Sequence, residues 1–235
     1  MSVDISGSSW LQQGDKLKNG DLAYLKLRHL IVSLRLEPGS TVDELYLSRL
    51  LGLGRTPIRE ALIRLAQEDL VSIVPRKGTL ITPLNFPELR EVAELRWHLE
   101  SLAARWAASR ITEDTQKKLT TLLADAKSGK LRHLEDWDVE VDRRFHQLVA
   151  IAAQNRQLTK ALDRLYNLSV RLLYASRTQM ADVSEELFDY EEILRALHDH
   201  DPEAAEKSLQ AHLIDTRQKI AEGFGMLGER PSSPA

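Results

Sequence analysis

Residues 20–83 carry three short helical patterns followed directly by two short strand patterns, and few folds are built in that order. The first helix is predicted from Asp21 to the Pro38-Gly39 pair, which cannot continue a helix. The second is predicted over Asp43–Leu51, with Gly52 as its terminator. Both helices repeat leucines at helical spacing, so each has one apolar face to bury.

The third helix has the clearest start. Thr56 can cap it, and Pro57 suits the first helical position, where its missing N–H costs nothing. Beyond this helix, residues 70–74 and 79–82 read as strands on either side of a turn at residues 75–78. Three helices followed by a hairpin predict a winged helix-turn-helix.

In that fold the third helix enters the major groove of DNA, with its N-terminal residues nearest the bases. Arg55 and Arg59 lie there four residues apart, and arginine is the side chain best suited to guanine. Thr56 can donate to a phosphate, while Arg76 and Lys77 at the hairpin tip can reach the backbone or the minor groove. The alternative is that the arginine pair forms an ordinary solvated helix face.

The net charge agrees with DNA binding only when the N-terminal and C-terminal parts of the chain are counted separately. The whole chain has 32 basic and 35 acidic residues, and its formal charge of -3 argues by itself against nucleic acid. Residues 20–85 hold nine basic and seven acidic residues, so the acidic excess lies in the remainder of the chain.

The composition also excludes several classes of protein. Cysteine is absent, so disulfides and thiolate metal sites are excluded. The N-terminus does not resemble a secretory signal, and no apolar run is long enough to span a bilayer. The chain is therefore predicted to be cytoplasmic, with no membrane partner.

The predicted domain organisation follows from changes in composition and hydrophobic periodicity along the sequence. Residues 1–19 are polar and aperiodic and are predicted to be a flexible arm, followed by the DNA-binding domain at 20–83 and a proline-containing linker at 84–87. Residues 88–227 are predicted to be all helical, and 228–235 a flexible tail. The predicted helices of the second half cover residues 88–109, 112–128, 131–153, 157–178, 183–200 and 202–224.

The run from Ser48 to Leu62, with Asp69-Leu70-Val71 after it, closely resembles the signature helix-turn-helix of GntR-family regulators. This resemblance implies that Arg55 and Arg59 read the operator and that the wing around Lys77 and Gly78 assists; Arg49 is included in the expected DNA-contacting set. Two departures are Gly54, where a Ser or Thr is usual, and Leu45, where some relatives carry a further arginine. The operator sequence is therefore not transferable.

The second half resembles the all-helical FCD domain of the FadR-like branch of that family. The stretches that carry the resemblance are Glu94–Ala104, Asp142–Val149 with Asn155, Ile193–Leu197, Asp201–Ala205 and Ala211–Leu213. The fold class is thus predicted to be mainly α, with an N-terminal winged helix-turn-helix and an all-helical C-terminal effector-binding bundle.

Asp142 and His146 are four residues apart, hence on one helical face, and His212 could reach them from another helix. One carboxylate and two imidazoles suit Zn, Ni, Mn or Fe and leave positions open for a ligand oxygen. The alternative is that the histidines are satisfied or solvated. The family implies a third histidine, but its position is occupied by Tyr190, a poor metal ligand. Tyr190 is expected to hydrogen-bond the effector, or the site binds metal weakly or not at all.

Arg96 occupies a position that faces the effector cavity in related proteins, where an arginine can pair with a carboxylate in a forked geometry. The alternative is a surface salt bridge with Glu100, four residues later. Trp97, Trp106 and Trp137 are assigned to packing, without a ligand role.

The function predicted from these features is that of a homodimeric transcription factor, a repressor that a small organic acid releases from a pseudo-palindromic, double-stranded operator. One alternative is a helical metal-dependent enzyme that uses Asp142, His146 and His212. A second is a structural DNA-binding protein without an effector. The enzyme hypothesis lacks a recognisable nucleophile and leaves the Arg55–Leu62 segment unexplained.

Overall fold

A computed structural model describes residues 17–76, 78–132, 136–177 and 190–223. The described residues fall into two compact units on either side of the Phe86–Pro87 bond. Most of the predicted arm, residues 1–16, lies outside the described residues, as does the predicted tail at 228–235. Within the described part of the chain, no helix is long and apolar enough to cross a membrane.

The first unit is the predicted winged helix-turn-helix. Its elements in chain order are α1 (Asn19–Val32), β1 (Thr41–Val42), α2 (Glu44–Leu51), α3 (Arg55–Gln67), β2 (Val71–Val74) and β3 (Gly78–Ile81). The three strands form an antiparallel sheet in the order β1-β3-β2. The sequence analysis missed β1, because a two-residue strand is too short to show alternation.

Helix α3 is held by an apolar stripe that faces α1 and the sheet. The fully buried side chains of this core come from each of the main elements: Leu27 and Ile31 of α1, Leu47 of α2, Ile58 and Leu65 of α3, and Ile81 of β3. Asp43 caps α2 by accepting a hydrogen bond from the Tyr46 backbone N–H at 2.6 Å. These contacts fix the first turn of α3 at the surface of the unit.

In this unit, the start of α3 and the end of α1 differ from the prediction. Thr56 does not cap α3, because the helix already begins at Arg55 and the capping position is Gly54, which has no side chain to cap it. Pro57 is accordingly the third helical residue, where its missing N–H still breaks no helical hydrogen bond. Helix α1 ends at Val32 and not near Pro38, and Leu34 adopts a left-handed conformation just beyond it.

The wing turn requires a glycine at residue 78. Gly78 has a φ of +94°, and a Cβ atom built on it would lie 2.9 Å from the Val42 carbonyl oxygen. Since any other residue would collide with the backbone of β1, Gly78 sets the approach of the wing to the sheet. Its expected role is therefore a backbone one.

The second unit contains helices only within the described residues. They are α4 (Phe86–Arg110), α5 (Glu113–Lys127), α6 (Trp137–Ala152), α7 (Arg156–Arg177), α8 (Glu191–His198) and α9 (Pro202–Gly223). Helix α4 starts inside the stretch predicted to be a linker, since a proline in the first turn forfeits no helical hydrogen bond. Helix α6 starts six residues later than predicted, and residues 133–135 and 178–189 lie outside the described part of the chain.

Helix α6 is central to the second unit and is buried on more than one face. Its apolar face, including Val141, Phe145 and Val149, packs into the main core. Its other buried side chains include Asp142 and His146, which carry polar groups into the interior. Because burying charge without partners is costly, these residues need compensating neighbours.

Candidate functional site

The predicted DNA-reading residues lie exposed at the start of α3. The side chains of Arg55 and Arg59 are 67% and 63% exposed. Thr56 is exposed in the same turn, and Arg49 of α2 and Arg76 of the wing turn are exposed as well. Lys77 lies outside the described residues.

Glu44 at the start of α2 joins the two arginines, and the sequence analysis did not single it out. Its two carboxylate oxygens accept from Arg59 Nε and Nη2, each at 2.8 Å, and Arg55 Nη2 lies 3.9 Å from Glu44 Oε2. The hydrogen bonds from Arg59 lower the pKa of the Glu44 carboxyl. The guanidinium of Arg59 therefore makes a bidentate contact with the Glu44 carboxylate, whereas Arg55 makes only one longer ionic contact with it.

A second site lies inside the helical unit. The structure brings together the three predicted metal-ligating residues: Asp142 and His146 of α6 and His212 of α9 offer ligand atoms that all lie within 4.8 Å of one another. His146 Nε2 is 3.5 Å and His212 Nε2 is 3.9 Å from Asp142 Oδ1. All three side chains are less than a tenth exposed.

Glu100 of α4 connects this cluster to Arg96. Its Oε2 lies 2.5 Å from His146 Nδ1, and its Oε1 accepts from Arg96 Nε at 2.5 Å. Burial alone would raise the pKa of the Glu100 carboxyl, but Arg96 and His146 lower it to about 2. The predicted contact between Arg96 and Glu100 therefore exists, but it is buried and not a surface salt bridge.

Two tyrosines donate hydrogen bonds to Asp142. The Tyr190 hydroxyl donates to Oδ1 at 2.5 Å, and the Tyr166 hydroxyl donates to Oδ2. Tyr190 is fully buried and stacks on Phe145, with ring centres 3.9 Å apart. Tyr190 is therefore connected to the cluster by its hydrogen bond to Asp142.

The two histidines are pushed to opposite protonation states. Burial disfavours the charged form of His146, but Glu100 and Asp142 outweigh it and raise its pKa to about 9. Burial and the neighbouring positive charge of His146 lower the pKa of His212 to about 4. Without a bound ion, these shifts favour the charged form of His146 and the neutral form of His212. Its Nε2 is buried without a hydrogen-bond partner among the described residues.

A cavity with a volume of about 120 Å³ adjoins the cluster. Asp142, His146 and His212 line it together with Arg96, whereas Tyr190 does not. The sequence analysis missed other residues of the wall, including Ser169, Thr216 and Arg217. Trp97, which the sequence analysis assigned to packing, lines the cavity, and its buried Nε1–H has no hydrogen-bond partner in the described part of the chain. The His212–Thr216 spacing was the available signal, because residues four apart share a helix face.

The donor set fits a transition metal ion. The unpartnered Nε2 of His212 lies beside Asp142, and the His146 Nδ1 is backed by Glu100 in the arrangement common for metal-ligating histidines. One carboxylate with two imidazoles suits Zn, Ni, Mn or Fe.

Two family models match the sequence in the same order as the two units. Residues 19–81 match the model described as bacterial regulatory proteins, gntR family, and residues 91–215 match the FCD domain. Together they cover most of both units.

Relatives and solved structures agree with these matches. The chain is 28% identical to the HTH-type transcriptional repressor RspR of Escherichia coli K12 over 199 residues, which cover 85% of this chain and 87% of that protein. It is 32% identical to the Nta operon transcriptional regulator of Aminobacter aminovorans, over 62% of this chain and 68% of that one. Its fold matches the solved structure of E. coli McbR/YncC with a TM-score of 0.75, at 22% identity over 91% of this chain and all of the other.

Proposed function

Because the chain belongs to the gntR family of bacterial regulatory proteins and carries an FCD domain, we propose that it is a transcriptional repressor which a small organic acid releases from its operator. One observation supports this proposal above all: the same chain has two exposed arginines at the start of α3 and a cavity lined by charged side chains in its helical unit. The family and the relatives are regulators and not enzymes, so the enzyme hypothesis is not supported.

The DNA-reading roles are assigned to the start of α3. Arg55 and Arg59 read guanines in the major groove, and the exposed Thr56 and Arg49 donate to phosphates. In the wing, Gly78 fixes the turn that presents Arg76, and Arg76 and Lys77 are assigned to contacts with the DNA backbone. A homodimer would present two such helices to matching half-sites.

The effector roles are assigned to the cavity of the helical unit. Arg96 contributes positive charge to the wall, which favours an acid over a neutral molecule. Tyr190 is assigned a positioning role, because its hydroxyl is used by Asp142 and its side chain does not line the cavity. An acid that binds one arrangement of the dimer more tightly than another would shift the dimer towards that arrangement. The change in operator affinity is limited by the difference between the two binding free energies of the acid.

The proposed regulation is tested by titrating the purified protein onto DNA from upstream of its own gene, at fixed salt, and then adding a panel of small organic acids. We expect nanomolar-range binding that exceeds binding to scrambled DNA by about a thousandfold or more, because specific recognition typically gives that ratio. At least one acid should release the DNA. Binding that no acid alters would favour the DNA-binding protein without an effector.

We also propose that Asp142, His146 and His212 hold a divalent metal ion. When bound, such an ion would offer open coordination positions to an oxygen of the effector. We expect protein incubated with Zn²⁺ or Ni²⁺ and then dialysed to retain about one ion per chain by elemental analysis. The variant His212→Ala should retain none, and it breaks no hydrogen bond that His212 Nε2 makes to the described residues.

His198→Ala is the matched control for this measurement, because His198 is an exposed histidine on α8. Its metal content should equal that of the wild type. Wild-type protein that stays metal-free after the same incubation would contradict the assignment of a metal.

A further inference from the structure

Glu44 contacts both of the arginines that are assigned to reading DNA. Its carboxylate accepts from Nε and Nη2 of Arg59, and Arg55 Nη2 lies 3.9 Å from its Oε2. These contacts join the first turn of α2 to the start of α3. The Glu44 side chain is 24% exposed, whereas both arginines are mostly exposed to solvent. Glu44 is therefore the inner member of this group of three charged residues.

The contact with Glu44 uses only one of the two forked edges of the Arg59 guanidinium. A guanidinium carries five N–H donors in a rigid plane. Glu44 accepts from one N–H on Nε and one on Nη2, and Nη1 makes no hydrogen bond to the described residues. The edge formed by Nη1 and the second N–H of Nη2 is therefore open. Such an edge matches the O6 and N7 acceptors of guanine.

The Glu44 carboxylate affects contacts with phosphate and with guanine differently. A DNA phosphate carries a negative charge and attracts an arginine regardless of the base sequence. The edge of guanine is neutral and is recognised by two aligned hydrogen bonds. A carboxylate 2.8 Å from Arg59 offsets the positive charge of the guanidinium and repels a phosphate, but it leaves the open edge with its donors. Pairing with Glu44 thus weakens sequence-independent binding more than guanine recognition.

From this arrangement we infer that Glu44 is a specificity-determining residue: it orients Arg59 towards guanine and keeps the arginine pair from binding the phosphates of unrelated DNA. The inference rests on the proposed function, since it requires that Arg59 reads the operator. Glu44 acts through the arginines and is a positioning residue. Its negative charge lowers the total affinity for DNA and enlarges the difference in affinity between the operator and other DNA.

The test compares the wild type with Glu44→Gln on two DNAs, the region upstream of the gene and a scrambled duplex of equal length and composition. Fluorescence anisotropy of the full-length protein is measured from about 50 to 200 mM salt. Glutamine keeps the size of the side chain but removes its charge, so Arg59 can bind a phosphate. At about 0.1 M salt, the variant should bind the scrambled duplex about tenfold more tightly for each protomer that touches the backbone. The slope of log affinity against log salt should steepen by about 0.9 per protomer.

The ratio of operator affinity to scrambled-DNA affinity is the second measurement. It should fall by about tenfold or more in Glu44→Gln, because the released Arg59 gains affinity for any backbone and loses its orientation towards guanine. In an Arg59→Ala background, Glu44→Gln should change the ratio far less, since the main partner of the carboxylate is absent. An equal change in both backgrounds would refute a role of Glu44 through Arg59.

Glu60→Gln is the matched control, because Glu60 is an exposed carboxylate on α3, next to Arg59 in the sequence. Within the described residues it has no ion pair with Arg55 or Arg59. The substitution makes the same change in net charge on the same unit. Its affinity ratio and salt slope should equal those of the wild type. Equal effects of Glu60→Gln and Glu44→Gln would show that net charge, and not the position of Glu44, sets the ratio.

The remaining outcomes separate this inference from the proposed function. An equal loss of affinity for both DNAs in Glu44→Gln would show that Glu44 only supports the fold. Weaker operator binding, with scrambled-DNA binding and salt slope unchanged, would show that Glu44 itself accepts from a base such as cytosine. A wild-type preference for the operator that Glu44→Gln leaves intact would refute the role of Glu44 alone. A wild type without any preference would refute the proposed operator binding itself.

Discussion

Replacing Arg55 or Arg59 by alanine should weaken operator binding more than any other single exposed change in the first unit. A bidentate contact between arginine and guanine is worth about 1–3 kcal/mol of discrimination, and a homodimer loses it twice. The expected loss is therefore about 2–6 kcal/mol, or roughly 30-fold to 10⁴-fold in affinity. Fluorescence anisotropy on DNA from upstream of the gene, at one fixed salt concentration, measures it.

Arg64→Gln is the control on the same helix. Arg64 lies in the last turn of α3, pairs with Asp21 at 2.8 Å and is about half exposed, so the fold should tolerate its loss. Arg55 and Arg59 should also differ from each other. Arg59 is held by Glu44, so its loss frees a carboxylate next to the DNA and adds repulsion to the lost contact. Unchanged binding by both alanine variants would remove these arginines from the reading role.

Glu100→Ala should be the most destabilising change at the cavity. It removes the buried anion that faces both Arg96 and His146, and breaking a buried ion pair by deleting one partner typically costs about 3–5 kcal/mol. Urea unfolding followed by far-UV circular dichroism should show a large fall in the midpoint. Wild type and variant are compared at equal protein concentration, because the midpoint of any protein that dimerises depends on its concentration.

Asp114→Ala is the matched control for Glu100→Ala. Asp114 pairs with Lys118 at 2.7 Å across one helical turn, but its side chain is 73% exposed. Such a pair is worth about 0–1 kcal/mol, so the midpoint should barely move. Equal, small effects in both variants would show that the charges around Glu100 are hydrated, and would refute the buried network as a source of stability.

The features predicted correctly from the sequence are those encoded by local periodicity. The 3.6-residue repeat located the helices of both units, and the Asp142–His146 spacing placed two site residues on one face of α6. The winged helix-turn-helix followed from the order of short elements. The local capping rule failed at Thr56, where it placed the start of α3 two residues too late.

The features that could not be predicted are contacts between distant parts of the chain. Glu44 meets Arg59 across 15 residues, and Tyr190 meets Asp142 across 48. Each depends on the angle and register between packed helices, which a single sequence does not encode in any local pattern. The hydrogen bond between Arg96 and Ser169 likewise appears only when α4 and α7 are placed side by side.

The uncapped first turn of α3 has a consequence for how the protein recognises its target. With Gly54 before Arg55, the capping position of α3 offers no side chain to the free backbone N–H groups of its first turn. A DNA phosphate placed there would accept those hydrogen bonds and interact favourably with the positive end of the helix dipole. The nucleic acid would then supply the hydrogen-bond acceptor that a capping side chain supplies in other helices, and part of the binding free energy would come from the backbone of α3.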